Sequence, residues 1–81
     1  MIQIKLVIGL EQGLHTRPCS LLVELFEGSD AVLKTSSGQA SLTSMLSLMT
    51  LGAEFGETVT IEASEITPEQ QSGAKEILKA Q

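Results

Sequence analysis

Apolar residues occupy every second position at the start of the chain, Ile2, Ile4, Leu6 and Ile8, with Gln3 and Lys5 between them. Successive side chains of a strand point to opposite faces, so this spacing predicts a half-buried β-strand. The segment lacks a charged leading region and a small-residue cleavage site, and reads as a strand rather than a signal peptide. No apolar run approaches the roughly 18 residues that a membrane span needs, so no membrane insertion is expected.

The alternation returns in "ETVTIEAS", with Val59, Ile61 and Ala63 on one face. Between these two stretches the period changes. Gly9 to Leu14 reads as a loop. From Thr16 onward Leu22, Leu25 and Phe26 share a helical face, and Glu24 and Glu27 lie opposite. Pro18 fits the first turn, where its missing N–H has no intrahelical partner, and Gly28 ends the helix. "AVLKTSSGQASL" reads as two short strands around a Ser36-Ser37-Gly38 turn. Ser44 caps a short apolar helix, "MLSLMTLG", in which Leu48 and Leu51 face the core. Thr67-Pro68-Glu69-Gln70 is a capped start for a last helix, whose buried stripe is Ala74, Ile77 and Leu78. Gly73 inside it costs about 1 kcal/mol relative to Ala, with no reason visible in the sequence.

The predicted order is β-α-β-β-α-β-α. Paired strands and segregated helices point to an α+β fold, an antiparallel sheet with helices packed on one face. The 81 residues make a single domain, 1–81, with a thin core. One cysteine, Cys19, cannot form an internal disulfide, which favours a cytoplasmic setting. The net charge of −5, the absence of a basic patch and the scarcity of aromatic residues argue against nucleic acid as a partner.

Chemistry concentrates in "EQGLHTRPCSLL", residues 11–22, which holds the one histidine, His15. That residue falls at the start of the predicted first helix. Free backbone N–H groups and the positive end of the helix dipole collect there, an arrangement that binds phosphate. Arg17 adds a planar cationic fork that matches phosphate oxygens. The imidazole could attack a phosphorus, and the cradle would then hold the phosphoryl group. The alternative is a loop histidine beside a solvated arginine, and spacing alone leaves both open. No Ser/His/Asp triad can be assembled. One His and one Cys are too few ligands for a metal site, and no cofactor is implied.

"GLHTRP", residues 13–18, resembles the active-site motif of HPr, the histidine-containing phosphocarrier of the phosphoenolpyruvate-dependent sugar phosphotransferase system. "TSMLSLMTLGAEFGETVTIEA", residues 43–63, is similar to the family's second signature, a capped apolar helix ending in Leu-Gly before a strand. The similarity spans nearly the whole chain, with single-residue shortenings near the end of the first helix and in the hairpin.

The resemblance implies an open-faced β-sandwich, four antiparallel strands with three helices on one face. It implies a phosphoryl carrier rather than an independent enzyme. His15 would be phosphorylated by phosphorylated Enzyme I and would pass the group to a histidine of an EIIA-type acceptor. Arg17 would stabilise the phosphoryl group, and Thr16 and Pro18 would help form its cradle. Met45, Leu46, Met49 and Leu51 would lie in the apolar patch that docks partners. Ser44 aligns with a serine that a dedicated kinase modifies in some members; a helix cap is the favoured reading, because those members usually carry Lys before the serine and Ile-Met after it, where this chain has Thr43, Met45 and Leu46. Members are typically monomers.

The chain departs from the pattern in places. Cys19 replaces a small residue, either as a reactive thiol at a helix start or as a small buried apolar group. Glu24, Glu27, Thr43 and Ser47 stand where sugar-system members carry lysines, and Glu65 where a glycine is common. Lost lysines weaken steering toward acidic acceptors. Two further readings follow: an HPr-like paralogue in a nitrogen- or metabolism-regulating phosphorelay, and a module that regulates by docking alone.

Overall fold

The first and last strands predicted by alternation lie side by side. The computed structural model describes residues 1–80. In it β1 (Ile2–Val7) pairs antiparallel with β4 (Thr58–Ala63), with Leu6 opposite Val59 and Ile4 opposite Ile61. On its other edge β4 pairs with β2 (Val32–Thr35), Leu33 opposite Ile61. β2 in turn pairs with β3 (Gly38–Ser41), giving the order β1-β4-β2-β3, antiparallel throughout.

One face of this sheet is covered and the other is open. Leu6, Leu33, Val59, Ile61 and Ala63 point inward and are buried. The alternate residues Gln3, Lys34 and Glu62 form a polar cluster on the open face. There Lys34 Nζ lies 3.0 Å from Glu62 Oε2, and Gln3 Nε2 donates to the same oxygen at 2.7 Å. Ile2 keeps the alternation but stays exposed at the strand's free end.

Three helices cover the apolar face: α1 (Thr16–Leu25), α2 (Met45–Leu51) and α3 (Pro68–Ile77). Leu22 and Phe26 from the first, Leu48 from the second, and Ala74 and Leu78 from the third complete the core. Burying a Leu or Phe side chain contributes roughly 1.5–3 kcal/mol, so this set carries most of the domain's cohesion. Phe26 follows the last helical turn as the C-cap, two residues before the expected stop at Gly28. Ile77 and Leu25 are half-buried at the margins of their stripes.

The local signals behave as the sequence predicts. Ser44 accepts the Ser47 N–H at 3.2 Å. Thr67 and Gln70 make a reciprocal capping box, each backbone N–H donating to the other's side-chain oxygen at 3.0 Å. The hairpin turn is tighter than expected. Thr35 pairs with Gly38, so only Ser36 and Ser37 form the loop, and the Ser37 N–H donates to Thr35 Oγ1 at 3.1 Å.

Candidate functional site

His15 is the N-cap residue of α1, with an extended backbone (φ −114°, ψ −173°). Its carbonyl accepts the first intrahelical bond, from the Cys19 N–H at 3.2 Å. Ser, Thr, Asp or Asn at such a position usually turns back to bond the helix amides. The His15 ring does not, and makes no cap hydrogen bond. The amides of Thr16 and Arg17 are therefore left open at the positive end of the helix. Pro18, the third helical residue, has no N–H to leave open, and its buried ring anchors the turn.

The loop that delivers His15 is braced from two sides. Leu14 N–H donates to the Ala53 carbonyl at 2.9 Å, and Gly13 N–H closes a turn on Leu10 at 2.9 Å. Gly13 has φ 67°, and a Cβ there would come within 2.5 Å of the Ala53 oxygen, so only glycine fits. On the other side Gly9 N–H donates to the Leu78 carbonyl at 2.9 Å, beside the C-terminus of α3. A side chain on a loop pinned at both flanks is preorganised without being buried. His15 is half-buried, and Thr16 and Arg17 are exposed. Arg17 makes no ion pair among the described residues, which leaves its guanidinium available to an anion.

The other residues singled out in the sequence divide. Leu46 is 77% exposed and Met49 43%, far more than a folded core needs. Met45 and Leu51 are half-buried against the core. Leu21 and Phe55 are exposed apolar residues that the sequence reading did not single out. Leu21 lies off the Leu22-Leu25-Phe26 stripe, a signal a helical projection carries; Phe55 sits in a loop, where no period marks it. Ser44 is half-buried, and its hydroxyl also donates to Ser47 Oγ at 3.0 Å. Cys19 is fully buried, and desolvation pushes its thiol up, which settles it as a small apolar group rather than an activated nucleophile. Among the described residues no three His, Cys, Asp or Glu side chains converge as metal ligands, and no helix is long and apolar enough to cross a membrane.

Comparison with known proteins agrees with the geometry. Residues 2–80 match the family described as PTS HPr component phosphorylation site. The chain is 42% identical over 65 residues to phosphocarrier protein HPr of Vibrio cholerae serotype O1, covering 78% of this chain and 76% of that one. Its fold is similar to that of HPr-C-His from Thermoanaerobacter tengcongensis, with a TM-score of 0.82 at 22% identity over 98% of this chain and 92% of the other. It is also similar to the histidine-containing phosphocarrier protein of a mycoplasma, with a TM-score of 0.80 at 23% identity over 94% and 90% of the two chains.

Proposed function

This chain belongs to the HPr family of phosphocarriers of the phosphotransferase system, and from that premise we propose that His15 takes a phosphoryl group from phosphorylated Enzyme I and hands it to an EIIA-type acceptor. In the first step a ring nitrogen of His15 attacks phosphorus, a new P–N bond forms, and the donor's P–N bond breaks with its electron pair returning to the donor imidazole. The second step is the same displacement with His15 as the leaving group. The open amides of Thr16 and Arg17, with the Arg17 guanidinium, neutralise the three phosphoryl oxygens. The observation that carries this reading is a histidine at a helix N-cap whose ring is not used for capping.

The chain acts as a carrier and not as an independent enzyme, because no second titratable group beside the ring is needed for either step. Leu46 and Met49, exposed on α2, supply the apolar contact for both partners. A cytoplasmic monomer suits this traffic.

The exposed Glu24 and Glu27 on and just after α1 favour a second reading, a paralogue in a regulatory phosphorelay with the same chemistry. An acidic rim selects against the acidic acceptors that lysine-bearing carriers meet.

The test is incubation of the purified chain with phosphoenolpyruvate, magnesium and a cognate Enzyme I, beside His15→Ala. The expected result is an acid-labile gain of one phosphoryl group in the native chain and none in the variant. No gain with a competent enzyme leaves the docking-only module as the function.

A further inference from the structure

We infer that Lys79 is a second phosphoryl-binding residue, which faces His15 across a cleft and neutralises the charge that arrives there. The inference deepens the phosphocarrier reading and rests on it. The cleft, of about 450 Å³, is lined by Gly9, Leu10, Glu11, Gln12, His15 and Lys79. Arg17, the second residue of α1, is not among its walls, so Lys79 is the one cation that lines the cleft with His15.

The backbone at Lys79 is unusual in a way that supports a role for its side chain. α3 ends in a Schellman motif: the Ala80 N–H donates to the Lys75 carbonyl at 2.8 Å and the Lys79 N–H to the Glu76 carbonyl at 3.2 Å. The left-handed position of that motif normally belongs to glycine. Here it is Lys79, with φ 49°, the one non-glycine residue of positive φ among those described. A lysine could complement the helix dipole from any residue of the last turn without this strain, and Lys75 already does.

The position is also fixed. A Cβ at Gly9 would lie 2.0 Å from the Lys79 carbonyl oxygen, so the two backbones are in close contact. That contact ties Lys79 to the loop that carries His15. Glu11, on the same cleft, would repel a phosphoryl group, and Lys79 offsets it.

The experiment uses the full chain and potassium phosphoramidate, a small anionic phosphoryl donor that bypasses Enzyme I. A His15 nitrogen attacks phosphorus, the donor's P–N bond breaks, and ammonia leaves with a proton from solvent. Initial rates are read by phosphorus NMR and intact mass for the native chain, Lys79→Gly and Lys79→Arg. We expect Lys79→Gly to be about 3- to 10-fold slower at low salt, with the difference shrinking at high salt, and Lys79→Arg to stay within about 2-fold of native. Relief of the left-handed strain should raise the Tm of Lys79→Gly by about 2–5 °C, so a slower rate cannot come from unfolding. A native rate in Lys79→Gly overturns the inference, as does failure of the arginine to restore it. Reaction with phosphoramidate but not with Enzyme I would sink the carrier reading and leave Lys79 standing.

Discussion

Gly73 of α3 and Leu25 of α1 touch so closely that a Cβ on residue 73 would lie 2.9 Å from Leu25 Cδ2 and 3.1 Å from Cδ1. The helix-interior glycine thus has a packing reason: it lets α1 and α3 approach. Its cost in helix propensity is about 1 kcal/mol. Alanine would recover that and force Leu25 off its rotamer, at about 0.5–1.5 kcal/mol. Gly73→Ala alone is therefore expected to change stability by less than about 1 kcal/mol. In a Leu25→Ala background the same substitution should stabilise by about 1 kcal/mol. Urea unfolding of the four proteins measures the coupling; a coupling of zero would mean that the contact does not constrain residue 73.

The contact between Gly9 and Lys79 is less forgiving, because both sides are backbone. Gly9→Ala places a methyl group where the Lys79 carbonyl is, 2.0 Å away. The chain must move, and the 2.9 Å bond from Gly9 to Leu78 would go with it. The expected loss is about 2–4 kcal/mol. Gly28→Ala is the control. It meets no atom within 4 Å, and pays only for its left-handed φ of 79°, about 1 kcal/mol. Comparable losses in the two variants would argue that strain, and not the close approach, sets the cost at Gly9.

Ser44 can be separated into its two roles by substitution. Ser44→Ala removes the acceptor for the Ser47 N–H and should cost about 1 kcal/mol, with no change in phosphoryl transfer to His15 at saturating Enzyme I. Ser44→Asp keeps a capping oxygen and should hold stability within about 0.5 kcal/mol. Its charge lies next to Met45 and near the exposed Leu46, so it should raise KM for Enzyme I while leaving kcat alone. An unchanged KM would remove both a regulatory role for this serine and α2 as the docking surface.

Acid should weaken the fold through two carboxylates. The Ser64 hydroxyl, and then the Ser64 N–H at 3.0 Å, hold the Asp30 carboxyl below its usual 3.8. The Lys34 ammonium, and then the Gln3 amide, hold Glu62 below its usual 4.5. A depressed folded pKa means that stability is fully present above the unfolded value and is lost as pH falls through the folded one. The decline should therefore begin near pH 4.5 and continue below 3.8. Asp30→Asn and Glu62→Gln should each flatten it. Asp30 is exposed and Glu62 half-buried on the open face of the sheet, so the effect is small and shrinks with salt. A thermal-denaturation series from pH 7 to 2 reads it directly.

Local chemistry made the elements legible. Alternation in residues 2–8 and 58–63 marks strands because side chains of a strand alternate faces. Thr67, Pro68 and Gln70 mark a helix start because orphan amides need acceptors. His15 beside Arg17 was legible for the same reason, a helix N-terminus with a ring and a cation in its first turn. Residues without such a local signature were not. Leu46 and Met49 fell in the docking patch by resemblance alone, composition left core and surface both open, and the placement of α2 exposes them.

What the sequence by itself determined is the order of elements, their caps and the histidine at the start of α1, all set by interactions within a few residues. What only the tertiary structure decided is which distant segments meet. The central place of β4 between β1 and β2 depends on pairing across the whole chain. So does the arrival of Lys79, from the end of α3, at the cleft that holds His15. No local pattern encodes it: Lys79 comes to the cleft because Gly9 lacks a side chain and Gly73 lets α3 settle against α1.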